Sequence, residues 1–315
     1  MKKNIFRILF LLIYTTVVYA QRSEIYAVPQ TARIAKTINT EWVFNYFPEP
    51  EAENGGYEKT SFDDSKWAYI AIPHTWSAYE TTRELHPYIR NASFKDDPYW
   101  WFGWGWYRKR IVIDESFRGK KITFEFDGVQ KYSKVYLNGK YLCDHKGGYT
   151  SFYFDATDAV EFGKENILVV AVNQAQNDRY SIAPMNAGNW VTYGGIVRDV
   201  RIVITDLLNV PYQGSYKHEG GTFITTPKVS EQEATVNVKS YVQNKYNTDK
   251  KTRIVTVITD ADNKVIEKME SAQTVKAGEI AEFVQDAGPL INPKLWSPET
   301  PYIYKLYTEV YDDMR

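Results

Sequence analysis

Along this chain the apolar positions recur at every second residue. Ile122, Phe124 and Phe126 alternate with Thr123, Glu125 and Asp127, a pattern that predicts a strand with one face in a core and the other able to meet water. Val135-Tyr136-Leu137 runs into Asn138-Gly139 and on into Lys140-Tyr141-Leu142. Asn-Gly supplies the positive φ angles that a two-residue hairpin turn demands, so a hairpin is predicted there. From Asn166 to Val172 both faces are apolar, with Ile167, Val169 and Ala171 opposed to Leu168, Val170 and Val172, as expected of a central strand covered on both sides. Val200, Ile202 and Ile204 alternate again. Short strands separated by Gly, Asn and Asp predict an antiparallel sandwich. No glycine fingerprint follows a strand and no sustained helical period appears, which argues against a doubly wound nucleotide-binding fold.

The pattern changes after Asp206. Leu207 to Gly221 reads as a polar, glycine-containing connection; strands resume with Val236 and Val238, Ile254 to Ile258, and Leu306, Thr308 and Val310. Asp260-Ala261-Asp262-Asn263 reads as the turn of a hairpin between them. This second region has about the ~100 residues of an immunoglobulin-like sandwich. Lys305 to Tyr311 reads as a strand and Asp312-Asp313 as the turn after it, with the sequence ending at Met314-Arg315. That strand is expected to lack a partner it would normally have, which points to a truncated or split gene product.

The first twenty residues stand apart. Met1-Lys2-Lys3-Asn4 is a short positive start, Ile5 to Val18 is mostly apolar, and Val18-Tyr19-Ala20 offers small residues at the positions a signal peptidase reads. Residues 1–20 are therefore expected to be a signal peptide, and the protein to be exported to the periplasm or beyond. Of 315 residues, about 295 then remain, which suits two sandwich domains. An aromatic share of 16% excludes a disordered chain. Lys plus Arg number 38 against 39 Asp plus Glu, without a block of like charge, so no nucleic-acid footprint is expected. After the leader no apolar run is long enough to span a bilayer. A single cysteine, Cys143, cannot form an internal disulfide and is expected to be a small packed residue.

Candidate chemistry is sparse. No Gly-x-Ser-x-Gly elbow occurs, and His74, His86, His145 and His218 stand in no triad order. No His-x-x-x-His or Cys-x-x-Cys spacing suggests a metal, and no cofactor is expected. Glu80, Asp96, Asp97, Asp178 and Asp199 sit in no context that pairs them or raises a pKa, so a catalytic carboxylate dyad is not expected within this chain. The run from Tyr99 to Tyr107, with Trp100, Trp101, Trp104 and Trp106, admits two readings: indole faces for a pyranose ring, or rings that fill the core and a domain contact. Asn91-Ala92-Ser93 matches the glycan acceptor pattern, which matters only in a eukaryotic secretory pathway.

Six ordered motifs resemble the N-terminal part of glycoside hydrolase family 2. They are Ile72-Pro73-His74-Thr75-Trp76, Gly103-Trp104-Gly105-Trp106-Tyr107-Arg108-Lys109, Asp127-Gly128-Val129, Val135-Tyr136-Leu137-Asn138-Gly139, Gly147-Gly148-Tyr149-Thr150-Ser151-Phe152, and Gly194-Gly195-Ile196-Val197-Arg198-Asp199-Val200. Leu295-Trp296-Ser297-Pro298-Glu299-Thr300-Pro301-Tyr302-Ile303-Tyr304 is similar to the element that closes the family's second domain. The resemblance implies an all-β chain of two consecutive β-sandwiches, a galactose-binding-like jelly roll over 21–205 and an immunoglobulin-like sandwich over 206–315, with the catalytic (β/α)₈ barrel absent. It implies a carbohydrate substrate, β-galactoside-like by preference, and retaining hydrolysis in the complete enzyme. The barrel carries the catalytic glutamates, so this chain is expected to hold no catalytic residue and to work with a missing or separately encoded barrel. It further implies substrate contacts at Asn189, where relatives place an acidic residue, at the adjoining Trp190, and at Trp76 and Ser77. Arg198 and Asp199 are expected to form a structural pair in their strand. Two other classes stay open: a free-standing carbohydrate-binding protein and an inactive scaffold remnant.

Overall fold

The computed structural model describes residues 24–47, 50–76, 103–174, 194–212 and 220–312. The first sandwich holds β1 (Ile34–Thr37), β2 (Trp42–Phe47), β3 (Ala68–Ile70), β4 (Trp104–Val112), β5 (Lys121–Phe126), β6 (Val129–Gln130), β7 (Tyr132–Leu137), β8 (Lys140–Lys146), β9 (Phe152–Asp155), β10 (Glu165–Asn173), β11 (Gly195–Ile196) and β12 (Val200–Thr205). One sheet runs β3-β2-β4-β10-β7-β8 and the facing sheet β1-β12-β5-β9, all antiparallel, while β6 and β11 form a small ribbon at one end. The predicted core face of β5 holds: Ile122, Phe124 and Phe126 are fully buried and meet Leu168, Val170 and Val172 of β10 in the inter-sheet core; the opposite face, expected to meet water, is buried too at Lys121 and Thr123.

The opposite face of the larger sheet is also covered. Ile167, Val169 and Ala171 pack with Trp104 and Trp106 beneath Ala52 and Trp67 from the 50–67 connection, so β10 is apolar on both faces because both faces are roofed. The β7–β8 turn is the predicted hairpin, with Asn138 at φ 53° and Gly139 at φ 80°, the mirror-image geometry that matches strand twist. Cys143 on β8 is half-buried and packs against the core, and burial pushes its thiol up to about 12, out of the reactive range.

The second sandwich holds β13 (Leu208–Asn209), β14 (Thr222–Val229), β15 (Glu233–Asn244), β16 (Lys250–Thr259), β17 (Val265–Val275), β18 (Ile280–Ile291) and β19 (Lys305–Asp312). β13 and β14 pair along one edge of β15 and β18 along the other; the facing sheet runs β17-β16-β19. Asp260 to Asn263 form the predicted turn, closed by Asp260 N–H donating to the Lys264 carbonyl at 3.0 Å. β19 lies at the edge of the facing sheet. It pairs with β16 in unbroken register from Thr252↔Asp312 to Thr259↔Lys305, and Lys250 and Asp312 form an ion pair of 2.9 Å at its end. The strand has β16 on one side and, among the described residues, no strand on the other; Asp312, expected in a turn, belongs to the strand.

Among the described residues, the sandwiches meet around the β12–β13 connection and at the start of the described chain. Between β12 and β13, Asp206 accepts from Lys120 at 2.8 Å and from the Tyr246 hydroxyl at 2.7 Å, and Tyr212 stacks on Tyr153 with ring centroids 4.3 Å apart. The second join is the start of the described chain: Ile25 bridges to Lys264, Tyr26 N–H donates to the Asn263 carbonyl at 2.8 Å, and the Tyr26 ring lies 5.0 Å from that of Tyr307. Eight residues after Tyr26 the chain enters β1 of the first sandwich.

Candidate functional site

Four of the sequence motifs meet at the end of the first sandwich where β6 and β11 pair. Gly195 and Ile196 lie in register with Gln130 and Val129. The 72–76 segment is laced to the same ribbon: His74 N–H donates to the Ile196 carbonyl at 2.8 Å and Trp76 N–H to the Gly194 carbonyl at 3.2 Å. Gly147 N–H reaches the Lys131 carbonyl at 2.9 Å, bringing in the Gly147-Gly148-Tyr149 motif. Below them the His74 Nδ1 and the Tyr107 hydroxyl are hydrogen-bonded at 2.7 Å, which ties the ribbon to β4.

Trp76 anchors this end. Its ring is fully buried, stacks on Phe44 at 5.7 Å and 17°, and is gripped by two glycines. A Cβ at Gly105 would lie 2.3 Å from the ring and one at Gly194 2.4 Å from it; both motifs carry glycine there because the indole occupies that space. The expectation that Trp76 faces a ligand is thus replaced by a positioning role: with no exposed surface, it holds the 72–76 and 194–196 segments together. Ser77, Asn189 and Trp190 lie outside the described residues.

Above Trp76 lies a cavity of about 310 Å³, walled by Pro73, Thr75, Gln130, Tyr149, Val197 and Arg198. Among the described residues no acidic side chain lines it. Arg198 and Asp199 do not form the expected pair: Asp199 instead accepts from Asn39 at 2.8 Å and from Arg201 at 3.3 Å. Successive side chains of extended backbone project to opposite faces, so Asp199 joins the β12 face while Arg198 stays exposed at the cavity. Arg201 also forks onto Asp127, at 2.8 and 2.7 Å.

The aromatic run resolves where it is described. Trp104 and Trp106 are buried between the larger sheet and the 50–67 connection, with Trp106 Nε1 donating to the Ala52 carbonyl at 3.0 Å. They offer no exposed indole face. On the same side of β4, Arg108 is fully buried and donates to Asp64 at 2.7 Å, while Arg110 reaches the same carboxylate at 2.8 and 3.0 Å. Burial opposes the Asp64 charge, but the hydrogen bonds from Arg110 and Arg108 outweigh it and hold the carboxyl below the usual carboxylate range. Trp100 and Trp101 lie outside the described residues.

The family model described as "Glycosyl hydrolases family 2, sugar binding domain" matches residues 35–206, and that described as "Glycosyl hydrolases family 2" matches residues 221–315. The chain belongs to glycosyl hydrolase family 2. Within that family it is 28% identical over 289 residues to a β-glucuronidase of Formosa agariphila, covering 90% of this chain and 28% of the relative. It is likewise 28% identical over 272 residues to β-galactosidase BoGH2A of Bacteroides ovatus, covering 86% of this chain and 29% of that protein. Among solved structures, the β-glucuronidase of Bacteroides uniformis superposes with a TM-score of 0.76 at 31% identity, over 89% of this chain and 30% of that one. The chain thus spans under a third of the length of these relatives, and corresponds to their family 2 sugar-binding and second domains. Gln130, Tyr149 and Arg198 were not singled out as ligand contacts by the sequence; each sits inside a family motif, but nothing in the linear spacing shows that the three converge.

Proposed function

We propose that this chain is the non-catalytic N-terminal portion of an exported family 2 β-glycosidase, with substrates of the β-galactoside or β-glucuronide class. The observation that carries the reading is the order of the two family matches, sugar-binding domain and then second domain, over two sandwiches, with the first sandwich's motifs meeting at one end. Export is supported by the positive, apolar and small-residue sequence of Met1 to Ala20. In the complete enzyme the reaction is retaining hydrolysis of an O-glycosidic bond, with the carboxylate pair supplied outside these two sandwiches. Asn189, Trp190 and Ser77 are proposed to reach toward the sugar from the first sandwich; Asn189 can donate as well as accept, which an ionised acid cannot.

The test is hydrolysis of nitrophenyl β-galactoside and β-glucuronide by the purified 315-residue protein, alone and with a family 2 barrel domain added. No turnover alone, and turnover on addition, is the expected result. Turnover by the chain alone would overturn the non-catalytic assignment. Export is checked by the N-terminal residue of the protein recovered outside the cytoplasm, expected to be Gln21.

A further inference from the structure

The cavity above Trp76 has the makings of a site for a carboxylated sugar. Three polar groups on its wall have no partner among the described residues. The Thr75 hydroxyl and the Gln130 side-chain oxygen are buried without a hydrogen bond, and Arg198 takes part in no ion pair because Asp199 is committed to Asn39 and Arg201. Buried polar groups without partners are uncommon, and each asks for a reason. Gln130 is 2% exposed, and its amide sits where a Cβ on Gly148 would be, 1.2 Å from the oxygen. The glycine is what admits that side chain. With the oxygen turned under Gly148, the amide NH₂ is the end left for the cavity. The Arg198 stem lies along Gly128, its Cδ 3.3 Å from where a Cβ would be, so packing aims the guanidinium.

The wall thus combines a planar cation, an amide and a hydroxyl, with no acid among the described residues. Guanidinium and amide donors on one wall suit a carboxylate, and charge-assisted bonds of this kind are the strong ones. The rest of the wall is His74, whose Nδ1 is hydrogen-bonded to the Tyr107 hydroxyl, together with Pro73, Val197 and the 66%-exposed Tyr149, whose apolar surface and polar tip suit the carbon face of a pyranose. A cavity near 310 Å³ is at the small end of ligand pockets, enough for one sugar unit.

We propose that this cavity binds the carboxylate of a uronic acid residue, with Arg198 as its counter-ion, Gln130 and Thr75 as hydrogen-bond partners, and Tyr149 against the ring. The proposal rests on the carbohydrate reading above and narrows its substrate class. Calorimetric titration of the 315-residue protein with methyl β-glucuronide, methyl β-galactoside and sodium acetate tests it. Glucuronide is expected to bind at least about tenfold more tightly than either of the others, because only it offers both charge and ring. Arg198→Met is expected to erase that preference and Arg198→Lys to recover part of it, since an ammonium keeps the charge but not the fork. Both Arg198 and Tyr149 are exposed, so Tyr149→Ala is a second variant that leaves the core intact; it is expected to weaken glucuronide and spare acetate.

Binding of galactoside without preference for glucuronide would overturn the carboxylate site and leave the carbohydrate reading standing. Acetate binding as tightly as glucuronide would overturn it in favour of a socket for an acidic protein side chain. Absence of binding by all three would overturn both the site and sugar recognition by this chain, and unchanged glucuronide affinity in Arg198→Met would place the sugar elsewhere.

Discussion

Lys121, at the start of β5, faces the junction between the sandwiches and is 6% exposed. Among the described residues its ammonium reaches only the side-chain oxygens of Gln243 and Asn209, at 3.4 and 3.5 Å. Burial pushes it down from the usual 10.5 to about 8; Asp155 pulls the other way, and Lys245 and Arg33 add to the fall. A lysine with a depressed pKa in the folded state costs stability at neutral pH, where both states are protonated. As pH rises above 8 the folded state sheds its proton while the unfolded state still holds it, so stability rises between pH 8 and 10.5. A difference of this size corresponds to about 3 kcal/mol over the full window, of which about 2 kcal/mol is recovered between about pH 7 and about pH 9.5.

Lys121→Met keeps the stem and removes the charge. The assay is urea unfolding of both proteins at about pH 7 and about pH 9.5, read by tryptophan fluorescence. Titrating groups common to both cancel in the difference. The stability of the variant relative to the parent is expected to fall by about 2 kcal/mol from the lower to the higher pH. A difference unchanged within about 0.5 kcal/mol would refute the claim that a strained ammonium sits at this junction.

Three further outcomes follow from the packing. Asp64→Asn leaves Arg108 buried without its counter-charge and is expected to cost about 3–5 kcal/mol in thermal or urea unfolding. Because the Asp64 carboxyl is held low, the parent's advantage is present above the unfolded-state pKa and is lost as pH falls through the folded-state value, so the gap closes in acid. Gly105→Ala drives a methyl into the Trp76 ring and is expected to destabilise the first sandwich by about 1–3 kcal/mol, with a matching shift in near-ultraviolet circular dichroism. Tyr212→Ala removes the stack on Tyr153 and the 3.2 Å bond to Glu125; calorimetry is expected to resolve the domain transitions further apart while the far-ultraviolet spectrum stays the same.

How far the sequence carries depends on what each strand buries. β5, β10 and the β7–β8 hairpin are legible because their partners are apolar and their turn residues have one main use. β17 and β18 escape the same reading. Their apolar positions are diluted by Glu, Gln and Ala, and part of the core there is polar: Gln285, 5% exposed, accepts from the Thr256 hydroxyl at 2.6 Å. A buried polar pair satisfies its own hydrogen bonds and leaves no hydrophobic signature. The site shows a sharper limit. Thr75 and Trp76 are neighbours in one motif, as are Arg198 and Asp199 in another, and in each pair one residue lines the cavity and the other does not. The motif order marks the place on the chain, but a shift of one residue exchanges the two faces of extended backbone. Trp76 was therefore expected at a surface it does not reach, and Arg198 in a pair it does not make.

The bridge from Ile25 and Tyr26 to the second sandwich has a consequence for the order in which the chain assembles. The Tyr26 hydroxyl bonds Glu309, 283 positions further on, so the earliest described residues find their partners only after both sandwiches have been made. The first sandwich takes its strands from β1 to β12 and can close beforehand. The leading segment stays open until β17 and β19 exist, then ties the second sandwich back across the first. Two separate crossings, one at the front of the chain and one at Asp206, leave no single pivot about which the sandwiches can swing. Their mutual orientation becomes part of the folded state, and the step that joins the second sandwich to the first is the one that locks it.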